Sequence, residues 1–336
     1  MTALIMDFWR MAWPTDWHSV FGRQAPLLLE IGFGNGQFLT ELAQTRPDLN
    51  LLGIEIAMPS LNRTANRVRS AELDNVRLIR ASAQAVVQTL CRSGSVDGVT
   101  INFPDPWPKA GHTDRRLIST TFLELLASRM VEGADLDIAT DHAEYGAWIA
   151  DHLRQSPYFH SRLDQAYTHQ DPDRLRTKYE QKGLAAGSQC LYFKWRRNNV
   201  ATVDGYPVTQ ELPMPHVIMR SSLSLQEIAE AFEQRECKTE STSVRFVDVY
   251  LSQGRPALVV DTYIAEQPFA QRLMIEIYRR PDGDYVLRLL ATGFPRATAG
   301  VHKAIECLVV WLCEIDGEAT ILRHNLRSLE IAERDA

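Results

Sequence analysis

The chain has 336 residues, enough for two ordinary domains. Apolar residues make up 45% and charged residues 23%, which excludes a disordered or fibrous protein. The net charge of −6 is uneven: residues 1–199 hold 22 Lys and Arg against 22 Asp and Glu, so residues 200–336 carry all of it, which excludes a strongly basic nucleic-acid wrapper but not a local basic patch on the first half.

The first half reads as alternating strand and helix. Leu27–Ile31 is a short apolar run of the buried parallel-strand kind. A glycine-rich turn follows, then a helix from about Gln37 to Gln44 that stops near Pro47. Leu51–Glu55 is a second strand, Ser60–Ala71 a helix with Arg63, Arg67 and Arg69 on its polar side, Val76–Arg80 a third strand and Val96–Asn102 a fourth. Thr121–Met130 and Glu144–Leu153 read as helices, and Ala134–Thr140 and Cys190–Trp195 as strands. This alternation predicts a doubly wound α/β sheet with its ligands at the carboxyl ends of the strands.

The pattern changes after Asn199, where Pro207, Pro213 and Pro215 cluster. The predicted domains are therefore 1–199 and 200–336. In the second, His216–Ser222 reads as a strand, and Ser224-Leu225-Gln226-Glu227 has the form of a capping box opening a helix to about Glu236. Four strands follow at Val244–Leu251, Ala257–Ile264, Leu273–Arg279 and Tyr285–Leu290, then an apolar helix from about Thr298 to Glu314. The order β-α-β-β-β-β-α predicts an α+β accessory domain and resembles the TATA-binding-protein-like fold in topology. Arg272, Arg279, Arg280 and Arg288 are candidates for a basic patch there. No catalytic constellation appears in it.

Glu30-Ile31-Gly32-Phe33-Gly34-Asn35-Gly36 joins the first strand to the first helix. Gly32, Gly34 and Gly36 allow a tight turn and a close approach by a ligand. Glu55 ends the second strand, where a carboxylate can accept both hydroxyls of a ribose. Gln37 stands where a dinucleotide fingerprint has its third glycine, and Glu30 would repel a pyrophosphate. A carboxylate beside such a turn suits a cofactor with a cationic amino-acid tail, as S-adenosylmethionine has.

After the fourth strand comes Asn102-Phe103-Pro104-Asp105-Pro106-Trp107-Pro108-Lys109. Three prolines at alternate positions stiffen this loop and remove donors. It presents Asp105 at a fixed point and Trp107 as a wall for packing or stacking, and Lys109, His112, Arg115 and Arg116 follow it. An acid, an aromatic and several cations suit a nucleobase with its phosphate.

These segments, with Ala139-Thr140-Asp141 and Thr177-Lys178-Tyr179-Glu180, resemble the bacterial tRNA (guanine-N7)-methyltransferase family over roughly residues 17–197. The resemblance implies a class I, Rossmann-like, S-adenosylmethionine-dependent methyltransferase domain with tRNA as partner, acting on a guanosine at position 46 of the variable loop. It implies that Glu30 and Glu55 bind the cofactor, that Asp105 is both cofactor neighbour and catalytic residue, and that Lys109, Asp141 and Thr177–Glu180 contact substrate. Ser82 stands where the family commonly has Asp or Asn near the adenine. Arg115, Arg116 and Lys178 are further candidates for phosphate, and Asp141 and Glu180 for the guanine edge.

The five cysteines (91, 190, 237, 307 and 313) are scattered and form no C-x-x-C pair, which fits a reducing cytoplasm rather than a disulfide framework or zinc ribbon. The apolar runs are too short to span a bilayer, and the first residues lack the form of a secretory signal. No metal is expected: His142 and His152, ten apart beside Asp141, read as surface histidines. Two other readings stay open on the residues alone, a methyltransferase acting on a small molecule or protein, and a non-catalytic RNA-binding relative.

Overall fold

The computed structural model describes residues 3–327 other than 173, 186, 203, 204, 209, 210 and 293. It divides into two units, Met1–Val208 and Thr209–Ala336, so the division falls a few residues past Asn199.

The first unit is built on one sheet. Its strands are β1 (Ile5–Met6), β2 (Leu27–Ile31), β3 (Asn50–Glu55), β4 (Val76–Arg80), β5 (Val96–Asn102), β6 (Met130–Thr140), β7 (Phe159–Ser161) and β8 (Leu191–Arg197). They lie in the order β1-β4-β3-β2-β5-β6-β8-β7, parallel through β6, with β7 and β8 antiparallel at one edge. The helices are α1 (Trp17–Phe21), α2 (Gln37–Thr45), α3 (Met58–Ser70), α4 (Ala83–Leu90), α5 (Thr120–Arg129), α6 (Ala143–Gln155) and α7 (Lys178–Ala185). The apolar strands Leu27–Ile31 and Asn50–Glu55 are buried almost throughout, as their unbroken hydrophobic runs require. The chain order reverses between β2 and β5, and a doubly wound sheet opens its ligand crevice at such a reversal. In register, Glu30 lies between Gly53 and Thr100, so Glu30 and Asn102 reach the same end of adjacent strands.

The short helices α1, α4 and α7 are additions to the sequence reading. The first two start at side-chain caps, Asp16 accepting from the His18 and Ser19 amides and Ser82 from Ala85.

The second unit contains β9 (His216–Arg220), α8 (Leu225–Glu230), β10 (Arg235–Lys238), β11 (Thr242–Leu251), β12 (Ala257–Glu266), β13 (Phe269–Arg279), β14 (Tyr285–Leu289), α9 (Ala299–Ile315) and β15 (Thr320–His324). The sheet order is β10-β11-β12-β13-β14-β9-β15, antiparallel throughout. Ser224 and Glu227 form the expected capping box. The helix ends at Glu230 rather than near Glu236, because Arg235–Lys238 alternates in burial and pairs with Ser243–Phe246 as an edge strand. Thus β10 and β15 are two strands beyond the predicted order. The core gathers Val301, Ile305, Leu308 and Leu312 of α9 against Phe246, Val260, Ile275 and Leu287 of the sheet.

Candidate active site

The carboxyl ends of β2, β5 and β6 and the start of α7 enclose a cleft of about 500 Å³. Glu30, Gly32, Gly34, Asn35, Phe38, Asn102, Phe103, Asp105, Thr140, Asp141, His142, Thr177 and Tyr179 line it.

Glu30 is its buried acid, 1% exposed. Its Oε1 accepts from Asn102 Nδ2 at 3.2 Å, while Oε2 is buried without a hydrogen-bond partner. Burial pushes the carboxyl up to about 8, against the opposing pull of Asn102 and of the Arg174 charge. Among the described residues no cation is bonded to either of its oxygens. Gly32 and Gly34 adopt φ values of +74° and +54°, and open space lies where a side chain would stand on either. An amino-acid tail with an ammonium group fits these residues.

Gly36 has a different task. It does not line the cleft, and a Cβ there would meet Thr64 Oγ1 at 2.2 Å, so it serves the α2–α3 contact. Glu55 also stands outside the lining. Its Oε2 accepts from the Gly34 amide at 3.0 Å, and its Oε1 from Ile56 and Ala57 at 2.8 and 3.0 Å. Thus Glu30 and Asp105 share the cleft, and Glu55 fastens the glycine turn behind it. Ser82 is exposed outside the cleft and caps α4 through the Ala85 amide.

The proline loop carries two residues in the left-handed region, Phe103 at φ +50° and Trp107 at φ +42°. Asp105 is exposed on the cleft wall. Trp107 lies outside the lining, with the Arg115 guanidinium 5.2 Å from its ring centre and His112 edge-on at 6.0 Å. The aromatic pair at the cleft is instead Phe103 and Tyr179, with centroids 5.2 Å apart. Lys109 and Arg115 are exposed, as a phosphate contact requires. Arg116 is not. Its side chain is 2% exposed, its Nε donates to Pro106 O at 2.9 Å, its Nη2 meets Glu144 at 2.7 Å, and it lies 4.9 Å over the Trp148 ring. That geometry corrects the expectation of a phosphate ligand: Arg116 braces the proline loop from beneath. The same guanidinium holds the Glu144 carboxyl below the usual range.

Thr177-Lys178-Tyr179-Glu180 is itself a capping box. Thr177 Oγ1 accepts from the Glu180 amide at 3.0 Å, and Glu180 Oε2 accepts from the Thr177 amide at 3.2 Å. Glu180 Oε1 accepts from Tyr192 Oη at 2.7 Å, and the residue is 1% exposed. Its oxygens are therefore engaged inside the protein and do not reach the cleft, which corrects its assignment to the guanine edge. Tyr179 is exposed and donates to Asp141 Oδ2 at 3.0 Å, and this bond raises its phenol pKa. The Lys178 side chain lies outside the described residues.

Sequence reasoning did not assign Phe38, Asn102, Thr140 or His142 to the cleft, although the last three lie in or beside the segments it singled out. His142 is no free surface histidine: its Nδ1 caps α6 at the Tyr145 amide, and it lines the cleft. Its position between a strand end and a helix start was the available signal. Among the described residues no group of three or more His, Cys, Asp or Glu could hold a metal ion, and no helix is long and apolar enough to cross a membrane. In the second unit Arg272, Arg280 and Arg288 are paired with Asp261, Asp282 and Glu276, and Arg279 lies over Tyr285, so the expected basic patch is largely neutralised.

The sheet order, the glycine turn and the buried Glu30 carboxyl with one unpartnered oxygen at the reversal point define an S-adenosylmethionine-dependent methyltransferase of Rossmann-like fold. Residues 24–192 match the family described as "Putative methyltransferase". The tRNA (guanine-N(7)-)-methyltransferase of Deinococcus radiodurans is 31% identical over 89% of this chain and 92% of its own. That of Thermus thermophilus is 31% identical over 88% and 92%, and that of Methylobacillus flagellatus 39% identical over 51% and 72%. A solved structure of the antibiotic-resistance methyltransferase Kmr is 21% identical over 55% of this chain and 93% of its own, with a TM-score of 0.38. The chain belongs to the tRNA (guanine-N7)-methyltransferase family. The first two alignments extend well past Val208, so those relatives share sequence with the second unit as well.

Proposed function

We propose that the chain methylates N7 of a guanosine in tRNA, at position 46 of the variable loop, with S-adenosylmethionine as donor. One observation carries the reading: a buried carboxyl with an unpartnered oxygen, Glu30, shares a cleft with the exposed acid Asp105. The first fits the ammonium of an amino-acid tail, and the second faces the place where a base would enter.

When bound, S-adenosylmethionine supplies a methyl carried on a positive sulfur. Glu30 takes the ammonium, and Gly32 and Gly34 let the tail approach the backbone. By the family resemblance Glu55 and Ser82 are the acceptors for ribose and adenine; neither lines the cleft itself, Glu55 Oε1 already takes two amides, and Glu55 Oε2 and Ser82 Oγ each take one and keep a lone pair. Guanine N7 bears a lone pair and no proton, so the chain needs no strong base. Its task is alignment and charge compensation. Asp105 stabilises positive charge as it grows on the purine. Asp141, held by Tyr179, accepts from the purine edge. Phe103 and Tyr179 offer aromatic surface to the ring, and Thr177 borders it. Lys109, Arg115 and Lys178 take phosphates, which makes binding salt-sensitive. Catalysis belongs to residues 1–199, with 200–336 as an accessory domain, and the work is placed in the cytoplasm.

The test is chemical. Bulk tRNA is incubated with enzyme and donor, reduced with borohydride and cleaved with aniline, which breaks the chain at 7-methylguanosine. A single new cut in the variable loop is expected, and no cut overturns the reading. Asp105→Asn should lower turnover on the order of 100-fold with cofactor affinity nearly unchanged. Normal turnover would remove Asp105 from the chemistry.

A further inference from the structure

Beyond its charge near Glu30, Arg174 has no role in the proposed function. Its side chain is 4% exposed, and it does not line the cleft. Yet it touches four elements that do the work around the cleft. Its Nη2 donates to Asn102 Oδ1 at the end of β5. Its Nε donates to Glu180 Oε2 at 3.4 Å in the capping box of α7. Its guanidinium lies 5.5 Å from the ring centres of both Phe38 on α2 and Tyr192 on β8.

We propose that Arg174 is a positioning residue for methyl transfer, tying the substrate-side helix α7 to the cofactor-side pair Asn102 and Glu30. The inference rests on the reading of Glu30 as the ammonium partner.

The chain of bonds has a direction. An amide side chain has one accepting and one donating end. Arg174 has no acceptor, so it must take the Oδ1 end of Asn102. That leaves the Nδ2 end facing Glu30, where it donates at 3.2 Å. Without Arg174 the amide is free to flip and present an oxygen to a carboxylate. On the other side, Glu180 Oε2 holds both Arg174 and the Thr177 amide, so the first turn of α7 hangs from the same guanidinium. That turn carries Tyr179, which holds Asp141. A lysine cannot replace this arrangement, because a point charge does not hold the Asn102 and Glu180 acceptors in the fixed fork that Nη2 and Nε provide. Arg174 also places a positive charge near Glu30, which favours the ionised carboxylate that the cofactor needs.

The test uses the full-length enzyme with Arg174→Met and Arg174→Lys, each checked by its melting temperature. S-adenosylmethionine affinity is measured from about pH 6 to about pH 10, and methylation of tRNA at steady state. Arg174→Met should move the midpoint of cofactor binding to higher pH and lower kcat/KM for tRNA by about 10- to 100-fold. Arg174→Lys should leave the pH midpoint near that of the wild type and still show the tRNA defect. A folded Arg174→Met with a wild-type pH profile and wild-type kcat/KM overturns the proposal, as does full rescue by Arg174→Lys. If Arg174→Met does not fold, Arg174→Lys decides: loss of tRNA kcat/KM with cofactor affinity kept supports the proposal, and no loss overturns it. Cofactor binding by the wild type that ignores both pH and Glu30→Gln overturns the reading of Glu30 itself, and the proposal with it.

Discussion

Thr177 and Glu180 cap one another: each backbone amide donates to the other's side chain, at 3.2 and 3.0 Å. The pair opens α7 and so sets where Tyr179 stands. Thr177→Ala removes one half of the box, a loss of about 1 kcal/mol in helix-end stability. The expected result is a higher KM for tRNA, unchanged cofactor affinity and faster amide exchange in residues 178–181. Unchanged exchange would show that the box does not hold the turn.

Glu30 predicts a pH dependence with a definite sign. Its carboxyl titrates near 8 in the folded chain and near 4.5 unfolded, because burial disfavours the charge. The folded state therefore binds the extra proton between those values, and the stability of the cofactor-free enzyme should fall as pH rises from about 5 to about 8. Glu30→Gln should flatten that slope. Binding an ammonium ionises the carboxyl, so S-adenosylmethionine should release close to one proton near neutral pH. Titration calorimetry in two buffers of different ionisation enthalpy reads this directly, and identical heats would refute it.

The strands and the glycine turn were legible because their signals are local. Unbroken apolar runs mark β2 and β3, and glycines at spacing two mark the turn. Glu30 was marked by its place at the end of β2, and Asp105 by the proline loop that follows β5, with its role taken from the family resemblance. What stayed hidden is relational. Arg116 reads as one more cation after the proline loop, and only the fold shows Pro106 O and Glu144 around it. Arg174 and Asn102 are 72 residues apart, and no spacing rule joins them. Glu180 was open to a local reading, since Thr-x-x-Glu is a helix-start pattern, but the family resemblance drew it toward the substrate. Glu55 ends its strand as predicted, yet local amides engage its oxygens.

Three neighbouring cations should separate cleanly. Lys109→Ala and Arg115→Ala should weaken tRNA binding and reduce its salt slope by about one each, with little effect on melting. Arg116→Ala should behave in the opposite way. It leaves the Pro106 carbonyl without its donor inside a strained loop, so melting temperature and turnover should fall while the salt slope stays put. Binding isotherms at four salt concentrations and a melting curve for each variant check this. A reduced salt slope for Arg116→Ala would place that side chain on the RNA after all.

Gly36 separates fold from cofactor. If all three glycines of the turn serve the ligand, Gly36→Ala should act through cofactor affinity. The structure argues otherwise. At φ +71° an alanine is strained, and its Cβ would stand 2.2 Å from Thr64 Oγ1. Gly36→Ala should therefore destabilise the enzyme by about 1–3 kcal/mol or more, strain and clash together. Thr64→Ala removes Oγ1 and Cγ2, the two nearest atoms, and should return part of the loss; the residue 64 Cβ at 2.7 Å and the backbone strain stay behind. Gly34→Ala meets only the strain, because nothing stands within 4 Å of its Cβ, yet it faces the cleft and should weaken S-adenosylmethionine binding. The two substitutions should thus differ in kind: melting temperature with rescue by Thr64→Ala for one, cofactor affinity without rescue for the other. Denaturation midpoints and cofactor titrations on the four proteins decide it, and rescue of Gly34→Ala by Thr64→Ala would show that the turn moves as one body.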